Sequence, residues 1–198
     1  MKKFILASAS PRRKELLEQI GLDFDILVSD ADEEQIEKNL PINIYVEELA
    51  LLKGAAAAES LRKLGAKNNI IISADTVVVY KDKILGKPKD KNDAFKMLEM
   101  LSGNEHEVYT GISIMRLSDG FTVADFVKTT VKFNDLTSEK INNYINTGEP
   151  MDKAGAYGIQ GLGVMLVDKI DGDYSNVVGL PLSKVVKMLE NDFGEKIL

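Results

Sequence analysis

The twelve residues from Asn69 to Tyr80 (Asn-Ile-Ile-Ile-Ser-Ala-Asp-Thr-Val-Val-Val-Tyr) constrain the fold more than any other stretch of this chain. They are β-branched or apolar almost throughout, which is the pattern of a central strand buried on both faces. Such a strand needs a layer on each side, and the chain carries amphipathic helical segments before and after it, so the class is α/β. Asp75 interrupts the run. An unpaired carboxylate buried there costs several kcal/mol, to order of magnitude, so it needs a partner or an opening in the sheet. Two readings stand. Asp75 is paired with a structural Lys or Arg, or it faces a cleft as a metal ligand or base.

The second informative stretch opens the chain. Phe4-Ile-Leu-Ala reads as a short apolar strand that turns on Ser8 and Ser10 into a helix. Ser10 suits the N-cap and Pro11 the first helical position. Leu16, Leu17 and Ile20 form the inward stripe, and Gly21 closes the helix. The charge at its start is unusual. A helix N-terminus favours acidic side chains, yet Arg12, Arg13 and Lys14 fill the first turn. Free N–H groups, a serine-lined turn and two guanidiniums at one point describe a phosphate site. The plainer reading is a set of solvated cations on an exposed helix start.

Between and beyond these, residues 23–29 read as a strand that leads into the acidic loop Asp30-Ala-Asp32-Glu33-Glu34. A long Ala- and Leu-rich helix spans 42–64 and ends at Gly65. Lys53 shares a face of it with Val46, Ala50 and Ala57. It either reaches into a cleft or snorkels to solvent, and periodicity leans to the second. Lys81-Asp82 turns the chain back through 83–85 to Gly86-Lys87-Pro88, where Gly86 permits close backbone approach and Lys87 is a phosphate clamp or simple loop polarity. A helix over 92–101 turns Ala94, Met97, Leu98 and Leu101 inward. His106 precedes a hairpin of two long strands, 107–117 and 121–134, joined at Ser118-Asp119-Gly120. A lone histidine there reads as a local hydrogen-bonding residue. Thr137 caps a short helix bearing Ile141, Tyr144 and Ile145. The glycine-rich segment 147–163 has little periodicity, and a loop that long in a compact domain is usually functional. Its polar groups are Glu149, Asp152, Lys153 and Gln160. Residues 163–170 and 174–178 read as a last strand pair, and Leu180-Pro181 opens a final helix with Leu182, Val185, Val186 and Leu189 inward.

Composition narrows the function. The chain has 198 residues and a net charge of −6, so no global basic field speaks for DNA or RNA. With no cysteine and one histidine, disulfides and Cys/His zinc sites are excluded. A metal held by carboxylates and substrate phosphates, the usual manner of Mg²⁺, stays open. Met1-Lys-Lys-Phe-Ile-Leu-Ala is too short an apolar run for a secretory h-region, and no stretch approaches a membrane span. A cytoplasmic protein with no membrane partner is expected.

Taken in order, Ala7-Ser8-Ala-Ser10-Pro11-Arg12-Arg13, Ser73-Ala74-Asp75-Thr76-Val77-Val78, Gly86-Lys87-Pro88, Ser102-Gly103 with His106, Thr110-Gly111, the run from Gly148-Glu149-Pro150 to Gly161, and Val178-Gly179-Leu180-Pro181-Leu182 resemble the Maf family of nucleoside triphosphate pyrophosphatases. The resemblance runs nearly end to end. It implies a single 1–198 domain of two lobes, with a long, mixed, twisted sheet flanked by helices and a central cleft, similar to inosine triphosphatases. It also implies a homodimer. Carried to matching positions, it gives Ser8, Arg12, Arg13, Lys53 and Lys87 to the triphosphate, and Asp75 to proton abstraction. Glu33, with Asp32 and Glu34 as rivals beside it, goes with Asp75 to a divalent cation, Mg²⁺ or Mn²⁺. Thr76 and Gln160, with Arg12, go to base choice. One departure is Lys53-Gly54, where Lys-Ala is commoner in the family.

The string Ala154-Gly-Ala-Tyr157-Gly-Ile-Gln160-Gly161 resembles the branch acting on dTTP and UTP rather than the one acting on 7-methyl-GTP. The expected reaction is therefore cleavage of a pyrimidine nucleoside triphosphate to monophosphate and pyrophosphate. The competing expectations are a purine or 7-methyl-GTP pyrophosphatase, and a non-catalytic nucleotide-binding regulator of septum formation.

Overall fold

The computed structural model describes residues 3–28, 30–37 and 39–197. Strand β1 (Phe4–Leu6) is followed by helix α1 (Pro11–Gln19), strand β2 (Phe24–Ile26) and the long helix α2 (Ile42–Lys63). Strands β3 (Ile70–Tyr80) and β4 (Lys83–Leu85) then lead to helix α3 (Lys91–Leu101), and β5 (Glu105–Arg116) and β6 (Thr122–Phe133) to α4 (Ser138–Asn146). Strand β7 (Val167–Asp171) and helices α5 (Tyr174–Val178) and α6 (Leu182–Phe193) complete the chain.

The strands form one seven-stranded sheet in the order β2-β1-β3-β5-β6-β7, with β4 paired to β3. It is mixed: β1 runs parallel to β2 and β3, whereas β4 is antiparallel to β3 and β7 to β6. The α/β class follows as expected. Apart from Asp75 and Thr76, every residue of β3 is buried. The turn after it is tight, and Lys81 and Asp82 adopt φ of 48° and 62° to make it.

The chain divides into two compact units. The first contains Met1–Asp75, Thr110–Val127 and Gly179–Leu198. Its core packs Ile5, Ala57, Ala58 and Leu61 against Ile71 and Leu117. Thr110-Gly111 gains a reason here, because a Cβ on Gly111 would fall on the Val46 carbonyl of α2. Gly54 lies over Ser73, whose hydroxyl donates to Ala50 O at 2.8 Å; a Cβ at position 54 would come within 2.8 Å of that oxygen. The glycine after Lys53 therefore matches a hydroxyl opposite it.

The second unit contains Thr76–Tyr109 and Lys128–Val178. Its core gathers Leu98, Leu101, Phe133, Ile141 and Tyr157. His106 is 2% exposed within it, shares a 2.8 Å hydrogen bond between Nε2 and the Tyr157 hydroxyl, and meets Phe133 and Tyr157 edge-on. This is the local role expected of a lone histidine. Its Nδ1 has no partner among the described residues, and burial pushes its pKa down to about 4 from 6.5. The group is neutral when folded, so unfolded chains take up the proton first. Its contribution is complete above pH 6.5 and is lost as pH falls from 6.5 toward 4, roughly 3 kcal/mol in all. Denaturant melts at pH 7 and pH 4.5 are expected to show a steeper acid loss for the parent than for His106→Gln; equal losses would refute the assignment.

Several local expectations are corrected. The 163–170 and 174–178 strand pair does not exist as such: Gly161–Leu166 is 3-10 helical, only Val167–Asp171 is strand, and Tyr174–Val178 is helix. The Asp173 carboxylate accepts from the Ser175 amide and hydroxyl at 2.7 and 2.6 Å, capping that last turn against the β-propensity of its valines. The 23–29 strand shrinks to Phe24–Ile26, and Ser29 lies outside the described residues. In α6, Met188 and Phe193 are buried with Val185 and Leu189, whereas Leu182 and Val186 are only half-buried. Gly86 itself meets nothing that a Cβ would touch. The close approach is made by Gly155, whose N–H donates to Gly86 O at 3.1 Å and whose Cβ would strike Val78.

Candidate active site

The first unit builds its site from the turn after β1, the loop before α2, α2 itself and β3. Ser10 caps α1, accepting from Arg13 N at 3.5 Å, and Pro11 holds the first helical position. The Ser8 hydroxyl accepts from Ser10 N and from Arg13 Nη1, both at 3.2 Å. Arg13 is not the surface cation that an exposed helix start would leave. It is 9% exposed, and its Nε donates to the Gly179 carbonyl at 2.8 Å, tying the opening turn to the segment before α6. Burial lowers its pKa, the charges of Asp75 and Glu33 raise it, and Arg12 lowers it further. Arg12 beside it is half-buried.

Lys53 is likewise not a snorkelling side chain. Its side chain is 17% exposed, its ammonium donates to Asp75 Oδ1, and Glu33 Oε1 lies 2.8 Å away. The Asp75 side chain is 15% exposed and that of Glu33 is 54% exposed. The first reading of Asp75 therefore holds, with Lys53 as its partner. The acidic loop is also sorted. Asp32 caps the turn Glu33–Gln35, accepting from Glu34 N and Gln35 Nε2, each at 3.2 Å, so Glu33 is the member that meets Lys53.

Tyr45 of α2 escaped the sequence analysis. Burial raises its pKa, and after burial the charges of Asp75 and Glu33 raise it and Lys53 lowers it, so it stands in the same electrostatic neighbourhood. No local signal marks it, because its relation to Asp75 exists only once α2 lies against β3.

The remaining candidates belong to the second unit. Thr76 follows Asp75 on β3 and is half-buried, and Lys87 is exposed in the loop after β4. Gln160 is half-buried, with extended backbone (φ −81°, ψ 161°), and its amide has no hydrogen-bond partner among the described residues. A groove of about 480 Å³ in this unit, lined by Lys140, Tyr144, Leu162 and Met165 among others, includes none of the predicted site residues.

Among the described residues no group of three or more His, Asp or Glu gathers as a metal site. Glu33 and Asp75 nevertheless converge on one cation, the Lys53 ammonium. Two carboxylates with phosphate oxygens to complete the shell are the donor set that Mg²⁺ takes, so these residues fit a divalent ion. Among the described residues no helix is long and apolar enough to cross a membrane.

The model of the Maf-like protein family matches residues 3–192. The chain belongs to the Maf family. Of its curated relatives, a dTTP/UTP pyrophosphatase from Clostridium botulinum (strain Okra) is 54% identical over 189 residues, covering 96% of each chain. Another dTTP/UTP pyrophosphatase, from Clostridium novyi (strain NT), is 51% identical and covers 94% of this chain and 95% of that one. A third, from a Thermoanaerobacter species, is 49% identical across 99% of this Maf chain and all of its own length (100%). Among solved structures, a HAM1 protein from Coxiella burnetii aligns with TM-score 0.42 and 15% identity over 67% of this chain and 73% of that one, a distant likeness that fixes nothing about the site.

Proposed function

We propose that this chain is a nucleoside triphosphate pyrophosphatase that hydrolyses dTTP and UTP to the monophosphate and pyrophosphate. The observation that carries the reading is the set Glu33, Lys53 and Asp75 beside a buried Arg13, in a chain about half identical to dTTP/UTP pyrophosphatases. An ammonium held between two carboxylates, with guanidinium charge alongside, is what a reaction needs when it must neutralise a polyphosphate and also activate water.

Water attacks the α-phosphorus, the bond from it to the bridging α–β oxygen breaks, and pyrophosphate leaves with the electron pair. Asp75 accepts the proton released by the water. Arg12, Arg13, Lys53 and Lys87 meet the growing negative charge of the phosphates, and Ser8 adds a hydroxyl donor. A divalent ion, Mg²⁺ or Mn²⁺, would be held by Glu33 and Asp75, and when bound it supplies charge neutralisation at the phosphates. Thr76 and Gln160 go to base choice; an amide offers both a donor and an acceptor, which suits thymine or uracil. We take the full 198 residues to act as one functional domain, in the cytoplasm and as a homodimer. Clearance of non-standard nucleotides would be a use for such an activity.

The test is pyrophosphate release from dTTP, UTP, CTP, GTP and 7-methyl-GTP, each with and without Mg²⁺ or Mn²⁺. Fastest turnover of dTTP and UTP, lost on chelation, is expected. Preference for GTP or 7-methyl-GTP would overturn the base assignment, and release undiminished by chelation would remove the metal.

A further inference from the structure

Gln160 sits in the middle of a loop that is pinned from below by two side chains outside the catalytic set. Tyr144 of α4 is buried and donates its hydroxyl to Glu149 Oε1 at 2.9 Å, and the Tyr144 hydroxyl oxygen in turn accepts from Gly158 N at 3.2 Å. The Glu149 carboxylate also takes both amides at the far end of the loop. Gly163 N donates to Oε1 and Leu162 N to Oε2, each at 3.1 Å. One carboxylate and one phenol therefore close residues 158–163 into a ring.

The glycines show how tightly the ring is drawn. A Cβ on Gly163 would fall on the Gly158 carbonyl and within 2.8 Å of the Tyr144 hydroxyl. One on Gly161 would meet Glu149 Oε2 at 2.9 Å, and one on Gly158 would meet Lys153 Cε at 2.8 Å. Lys153 is fixed in turn, since its ammonium donates to Glu149 O at 2.6 Å and Asp152 Oδ1 at 2.7 Å. The Gln160 amide is left without a protein partner among the described residues.

This division of labour has a chemical reason. An ionised carboxylate is acceptor-only, so Glu149 can collect a phenol and two backbone amides without offering a donor to a nucleotide. Discrimination by hydrogen bonding requires the reading amide to be held where the wrong base leaves it unsatisfied, which a mobile loop does not do. We propose that Glu149 and Tyr144 are positioning residues that set base discrimination by holding the Gln160 loop in its reading shape. The proposal rests on Gln160 being the base reader of the proposed pyrophosphatase.

The experiment compares kcat and KM for dTTP and GTP in the parent, Gln160→Ala, Glu149→Gln, Tyr144→Phe and the double variant Glu149→Gln/Gln160→Ala, each checked for a cooperative melt by circular dichroism. Tyr144→Phe keeps the ring packing, so it decides the matter alone should Glu149→Gln fail to fold. The dTTP-over-GTP ratio of kcat/KM is expected to fall about tenfold in Gln160→Ala and about fivefold in each positioning variant, carried by KM, with kcat on dTTP within about threefold. In the Gln160→Ala background, Glu149→Gln should lower the ratio no further, because it acts through a side chain already removed. Equal losses on both nucleotides, or additive losses in the double variant, would reduce Glu149 and Tyr144 to ordinary fold support. A ratio unchanged by Gln160→Ala would overturn the base reader and this proposal while leaving the pyrophosphatase reading intact. A parent enzyme releasing no pyrophosphate from dTTP or UTP would end all three.

Discussion

Asp75→Asn is expected to lower pyrophosphate release from saturating dTTP by at least about a hundredfold, the usual worth of a positioned general base. Asparagine keeps the shape of the side chain and an oxygen that can still accept from the Lys53 ammonium. The Lys53 charge also keeps Glu33, 2.8 Å from its nitrogen. Neither partner is sealed from water, with side-chain exposures of 17% and 15%, so loss of one charge does not strand the other in a dry interior. A thermal midpoint close to that of the parent is therefore expected alongside the kinetic loss. Turnover within a few-fold of the parent would remove Asp75 from the chemistry and leave it as the structural partner of Lys53.

Arg13→Ala should act on both stability and affinity. The guanidinium donates Nε to Gly179 O and Nη1 to the Ser8 hydroxyl, so truncation leaves a buried carbonyl and a cavity where a charged side chain was. Hydrogen bonds to charged groups are worth about 1.5–3 kcal/mol each, and a loss of about 3–5 kcal/mol in unfolding free energy is expected. The opening turn also loses the cation that stands among Asp75 and Glu33, and triphosphate affinity should fall at least about tenfold. Denaturant melts and equilibrium binding of a non-hydrolysable dTTP analogue measure the two effects separately. Unchanged affinity in a destabilised protein would make Arg13 a strut between the first turn and the α6 segment and nothing more.

Much of what depends on near neighbours was legible in the chain. Ser10 and Pro11 start α1, Thr137 caps α4, and the apolar run of β3 is buried on both faces. The failed strand at 174–178 has one local cause and one distant one. The valines of Tyr174–Val178 favour a strand, but Asp173 captures the Ser175 amide and hydroxyl, and the Asn176 amide donates to Val108 O and Thr129 Oγ1. The aspartate two residues ahead of Ser175 was the available signal, and its capping outweighs the β-propensity of the valines in this five-residue helix.

The fate of the charged groups was legible only as alternatives. The sequence by itself determined the α/β class, the absence of thiol and Cys/His metal chemistry, and the ordered motifs that place the chain among Maf proteins. Only the tertiary structure decided that Lys53 turns inward between Glu33 and Asp75, that Arg13 is buried against Gly179, and that Glu149 and Tyr144 hold the loop of Gln160. The reason is one of range. Capping, periodicity and turn geometry act over a few residues and are written in the order of the chain. Desolvation and charge pairing depend on which distant segments share the same few ångströms, and for Lys53 and Asp75 those segments are 22 residues apart.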